Sequence, residues 1–187
     1  MSEISLDWFA LQEKIHPPGL AERASSVATA KFLYGLVSMT RPEHVVEVGT
    51  YEGTTTAWIA RALIENGRGR CTSYDVELAW LSLANDNLEA AVGDDAPVEL
   101  VCEDITRREE PVECDFAFID PDPKGLYLLC FEKLKMPSDA TLCAHDLTYG
   151  QDKQQVEALR DRLVASGDWE VIGFQQERGM IVARKRS

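Results

Sequence analysis

The stretch VVEVGTYEGTTTAW, residues 45–58, decides how the chain is read. Val45, Val46 and Val48 are β-branched and suit a buried strand on a pleated sheet. The apolar run 57–63 suits a helix. Between them lies Gly49-Thr50-Tyr51-Glu52-Gly53. A strand that turns through two glycines into a helix brings backbone N–H groups close to a ligand.

The wider chain narrows the class of ligand. Its 187 residues suffice for one compact domain. With 19 basic and 32 acidic residues the net charge is −13, which repels nucleic acid and anionic lipid. Small molecules, cations or basic partners remain, and the acid also serves solubility. No apolar run approaches membrane-spanning length, and MSEISLDWFALQEK lacks the basic start of a signal peptide. The protein is therefore expected to be cytoplasmic. Cysteines at 71, 102, 114, 130 and 143 show no zinc-site spacing and read as reduced core thiols.

Strand and helix signals alternate along the sequence. Helices are expected at 6–15, 20–39, 54–66, 77–92, 127–134 and 152–165. Strands are expected at 44–49, 71–76, 98–102, 116–119 and 140–144, and a closing hairpin at 169–174 and 180–183. The basic end Arg184-Lys185-Arg186 reads as a solvated tail. Alternation predicts an α/β fold with a mostly parallel sheet, and the hairpin adds an antiparallel strand. Ligands of such sheets bind beyond the carboxyl ends of the strands. There the sequence places the glycine loop, Asp75, Glu103-Asp104, Asp120 and His145-Asp146.

Asp75 follows Gly53 by 22 residues, at a strand tip where an acid accepts both hydroxyls of a ribose. The loop is G-x-x-x-G led by Glu47, not the G-x-G-x-x-G that cradles a pyrophosphate. An acid there favours a ligand with an ammonium group over NAD.

In order and spacing, VVEVGTYEGTTT, SYDVEL, CEDIT and CDFAFIDPDP resemble the motifs of class I S-adenosylmethionine-dependent methyltransferases. The likeness is nearest to small O-methyltransferases of the catechol and caffeoyl-CoA type, over about residues 20–187. The resemblance implies a Rossmann-like, doubly wound, seven-stranded sheet within one domain, with residues 1–40 as a helical cap and 41–187 as the core. It also implies S-adenosyl-L-methionine as cofactor, a hydroxylated small molecule as substrate, and a homodimer. Glu47 and Gly49 would frame the methionine ammonium, with Thr50 and Tyr51 in the same loop. Gly53 would let the backbone approach closely, and Thr55 would donate to the methionine carboxylate. Asp75 would hold the ribose; Asp104 and Ile105 would meet the adenine. The plainer alternatives are that Thr54–Thr56 cap the helix and that Asp104 starts a turn.

In the resembled O-methyltransferases a divalent ion binds and acidifies the substrate hydroxyl. Asp120 matches its first ligand. Where that group has Asp-Asn, this chain has His145-Asp146, a donor set that admits ions softer than Mg²⁺. Three readings stay open: a metal on Asp120, His145 and Asp146; His145 as a general base without metal; or Asp120 serving the cofactor or the turn. Lys124 stands one place beyond the family's lysine, after two prolines, and is a further catalytic candidate. N-methyl transfer, and a module that binds cofactor without chemistry, also remain.

Overall fold

The structure is a computed structural model that describes residues 27–122, 125–148, 153–175 and 178–187. The helix expected at 6–15, the first turns of that at 20–39, and Lys124 lie outside the described residues. The elements run α1 Val27–Thr40, β1 His44–Val48, α2 Thr54–Asn66, β2 Arg70–Asp75, α3 Leu78–Val92, β3 Val98–Cys102 and a 3₁₀ turn Ile105–Arg107. They continue with β4 Val112–Glu113, β5 Phe116–Ile119, α4 Tyr127–Glu132, β6 Leu134–Lys135, β7 Thr141–His145, α5 Lys153–Ser166, β8 Trp169–Phe174 and β9 Met180–Lys185.

The main sheet has the order β3-β2-β1-β5-β7-β9-β8. Strands β3 to β7 of this sheet are parallel, and β9 is antiparallel to both β7 and β8. Alternation along each strand splits the core in two. Val45, Phe116, Phe118 and Cys143 face Leu33, Val37, Ile59 and Leu63 of α1 and α2. Val46, Ala117, Ile119 and Leu142 face Val156, Leu159 and Leu163 of α5. Strand β5 is buried along its whole length, which its unbroken apolar sequence requires. No helix of the described residues is long and apolar enough to cross a membrane.

Three details differ from expectation. Helix α4 stops at Glu132, because Leu134 enters a small parallel ladder with Val112. Two-residue strands carry no periodicity to read. The basic end is not a free tail: Lys185 extends β9, its N–H donates to the Ala140 carbonyl, and its ammonium donates to Met136 O. Four cysteines are buried as expected, but Cys102 is exposed. Burial pushes the thiols of Cys114 and Cys130 up to about 12.

Strand order reverses between β1 and β5, where connections leave in opposite directions. Gly49 makes this junction possible. It has φ 99°, its N–H donates to Tyr74 O, and a Cβ there would stand 2.1 Å from the Asp120 carbonyl oxygen. Gly67, which ends α2 in the left-handed region, has open space around it. Gly67→Ala should therefore lose only about 1 kcal/mol, the conformational penalty. Gly49→Ala adds a clash with backbone and should lose roughly 3 kcal/mol or more. Urea denaturation of the two variants checks this; equal losses would mean that the junction yields without cost.

Candidate active site

Strand β1 turns Glu47 toward the start of α2. The carboxylate is fully buried and accepts hydrogen bonds from Thr55 Oγ1 at 2.5 Å, Thr56 Oγ1 at 2.5 Å and Ser73 Oγ at 2.6 Å. Ser73 also shares a hydrogen bond of 2.7 Å with Thr50 Oγ1. Burial pushes the carboxyl up to about 7, outweighing the three hydrogen bonds that pull it down. In this structure Glu47 faces those hydroxyls from inside the sheet, and the Thr55 hydroxyl donates to it. The N-cap position of α2 is Gly53. Gly53 itself is pressed by α3: a Cβ there would lie 3.0 Å from Ala84 Cβ. Its missing side chain admits the neighbouring helix.

Gly49, Asp75, Asp104 and Ile105 line one cleft of about 490 Å³ beyond β1, β2 and β3. Tyr51 adopts φ 48°, a conformation rare outside glycine, and its N–H donates to Asp75 Oδ2 at 2.9 Å. The Glu77 N–H donates to Asp75 Oδ1 at 3.0 Å. A carboxylate oxygen can accept more than one hydrogen bond, so Asp75 is oriented by these two and keeps capacity for two hydroxyls. Asp104 is more committed. Its Oδ1 accepts from the Thr106 N–H and hydroxyl, and its Oδ2 pairs with Arg107 at 3.1 Å. It starts a 3₁₀ turn, the plainer of its two expected roles. The Tyr51 ring rests on half-buried Trp80, centroids 4.4 Å apart.

Across the junction, Asp120, His145 and Asp146 converge. One donor atom from each lies within 4.8 Å of the others. His145 Nδ1 is 3.2 Å from Asp120 Oδ2 and 3.5 Å from Asp146 Oδ1. An ionised carboxylate only accepts, so Nδ1 is the donor in the contact with Asp120. Nε2 is 3.4 Å from Thr29 Oγ1 and borders a cavity of about 220 Å³ lined by Phe32, Phe174 and Met180. Asp146 is fully buried with φ 68°, a strained backbone of the kind found at functional sites. Such a cluster can hold a divalent ion with mixed nitrogen and oxygen donors, or it can pass a proton through His145.

Two neighbours of this cluster escaped sequence reasoning. Thr29 reads only as one position on a helix face. Arg178 reads as a turn residue, yet its Nη1 is 3.7 Å from Asp146 Oδ1. Packing of α1 on the sheet brings Thr29 to His145, the pairing of β9 with β7 brings Arg178 to Asp146, and no local pattern encodes either.

The profile of a family described as "Methyltransferase domain" matches residues 46–147. Tapetum-specific methyltransferase 1 of Arabidopsis thaliana is 31% identical over 121 residues, 62% of this chain and 50% of that protein. Catechol O-methyltransferase of Niastella koreensis is 34% identical over 73 residues, 39% of this chain and 32% of that protein. The chain thus spans half or less of the length of these relatives. An O-methyltransferase from Bacillus cereus, solved with S-adenosylhomocysteine, superposes with a TM-score of 0.76 at 20% identity. That likeness covers 98% of this chain and 94% of the other.

The raised Glu47 carboxyl sets a pH dependence of stability. A carboxyl held above its unfolded value of 4.5 binds its proton more tightly in the native state. Its stabilising contribution is complete below the unfolded value and is lost as pH rises to about 7. Between pH 5 and pH 8 the parent should lose about 2 to 3 kcal/mol more than Glu47→Gln. Denaturant titrations across that range check it, and parallel profiles would show that Glu47 is ionised throughout.

Proposed function

The chain belongs to the methyltransferase domain family, and from this we propose that it transfers the methyl group of S-adenosylmethionine to a hydroxyl of a small molecule. The observation that carries the proposal is the meeting, at one topological switch point, of the cleft bearing Asp75 and the cluster of Asp120, His145 and Asp146. In this reading Asp75 takes the ribose hydroxyls, Ile105 bounds the adenine, and Asp104 receives its amino group. Gly49 and Tyr51 shape the wall of the methionine portion, with Glu47 and Thr55 as the brace behind it. The acidic surface, net −13, suits a small acceptor and not a nucleic acid. The resemblance also carries a cytoplasmic homodimer into the proposal.

Bound S-adenosylmethionine supplies a methyl group on a cationic sulfur and leaves as S-adenosylhomocysteine. The acceptor oxygen must lose its proton as its bond to carbon forms. Asp120, His145 and Asp146 would serve this by holding a divalent ion, which supplies Lewis acidity to the acceptor hydroxyl. The fit is supported by their donor atoms, one per residue, gathered within 4.8 Å. A second reading has its own observation. With Nδ1 turned to Asp120 at 3.2 Å, His145 Nε2 can take the acceptor proton directly. Asp120 then stabilises the resulting imidazolium. That route serves O- or N-methyl transfer without a metal.

Calorimetric titration with S-adenosylhomocysteine tests the cofactor assignment. One-to-one binding is expected, and Asp75→Ala should weaken it by about 1–3 kcal/mol, the loss of charge-assisted hydrogen bonds. No binding to the parent would overturn the methyltransferase proposal.

Turnover with and without EDTA separates the two routes. Activity lost in EDTA and restored by a divalent ion supports the metal; indifference to EDTA supports His145 alone. In either case His145→Gln should lower kcat by about 10²–10⁴ and leave cofactor affinity unchanged. Full activity in that variant would remove His145 from the chemistry.

A further inference from the structure

The structure assigns Arg178 a role: we propose that it is the resident counter-ion of Asp146 and competes with a divalent metal for that carboxylate. The inference rests on the metal route of the proposed function and deepens it. Asp146 is fully buried, and the Arg178 side chain is only 25% exposed. Their charged groups stand 3.7 Å apart. His145 Nδ1 approaches the same oxygen, Asp146 Oδ1, from 3.5 Å. One oxygen of the candidate metal triad thus already faces an arginine and an imidazole.

The placement of Arg178 is built into the backbone. Thr148 N–H donates to the Arg178 carbonyl at 2.7 Å, and Leu147 N–H donates to the Gly179 carbonyl at 3.3 Å. Gly179 has φ 75°, and a Cβ there would lie 3.0 Å from Leu147 Cβ, Phe174 O and Thr148 Cγ2. The β8–β9 connection is therefore stitched to the segment after β7, and the Arg178 side chain is delivered to Asp146. A guanidinium keeps its charge at any working pH. Two carboxylates with a neutral imidazole balance a divalent ion. With Arg178 added, the same set carries one negative charge, and an entering ion meets a cation beside its third ligand. Electrostatic repulsion at such range, in a site shielded from water, lowers metal affinity steeply. Arg178 is a positioning residue here: it acts through Asp146 and is not assigned contact with the acceptor.

Metal binding itself is the readout. Each protein is titrated with Co²⁺ alone and followed by the ligand-field absorption of the bound ion. Mn²⁺ binding is followed by loss of the free-ion paramagnetic resonance signal. Arg178→Gln and Arg178→Met should bind both ions about tenfold or more tighter than the parent. Arg178→Lys, which keeps the charge, should stay within about threefold of the parent. Adding Asp146→Asn to Arg178→Gln should remove the gain. Equal or weaker metal binding in folded Arg178→Gln and Arg178→Met would overturn the proposal, as would no binding in any variant. S-adenosylhomocysteine calorimetry on the same proteins keeps the two ideas apart. Lost cofactor binding in the parent sinks the methyltransferase reading, whereas intact cofactor binding with unchanged metal affinity sinks the counter-ion alone.

Discussion

The site depends on a carboxylate that never meets the solvent. Glu47 lies near the end of β1, between Ser73 and Phe118 of the adjoining strands, and three hydroxyls close around it. Those hydroxyls come from the first turn of α2 and from β2. A single side chain therefore fixes the exit of one strand, the entry of the next helix and the adjacent strand. Isolated, it would be a severe desolvation penalty; satisfied, it becomes a directional joint that an apolar residue could not supply. The glycine loop hangs from that joint. Asp75 accepts the Tyr51 N–H and Trp80 supports its ring, which helps to hold its strained backbone.

The second constraint is steric. Gly49 lets the end of β1 touch the end of β5, so the cleft that it lines lies beside the strand end that carries Asp120. Under the proposed function, strand ends this close would help to bring a methyl donor and its acceptor into line. Family membership and the likeness of the folds agree with this geometry.

The sequence carried the fold well because its signals are local and repeated. Alternating strands and helices, the glycines after α2 and α3 and the closing hairpin all lie within short windows, and α2 has the bounds expected from them. The strip of residues behind the strand ends was also readable, since topology alone carries Gly49, Asp75, Asp120 and His145 to one edge of the sheet. What each side chain does there was less readable. The types of Glu47 and Thr55 suit a zwitterionic ligand, but only the packing of α2 on β1 shows that they hydrogen-bond each other. Arg178 was silent because its meaning comes from a partner thirty-two residues earlier, across an antiparallel pairing. The β4–β6 ladder escaped for the opposite reason, being too short to have a pattern.

The position of β9 has a consequence for synthesis. Among the described strands it is the last to be made, yet it lies between β7 and β8. Until residues 180–185 have left the ribosome, the flank of β7 stays open and β8 has no strand to pair with. Ile172 and Phe174, exposed even in the finished sheet, are then part of a wider sticky border. Arg178 comes into place only as that gap is filled. The cleft beyond β1, β2 and β3 can therefore mature early, while the surroundings of Asp146 wait for the final strand to slide in. A nascent chain stalled before residue 180 would present a formed cleft beside an unfinished carboxylate cluster.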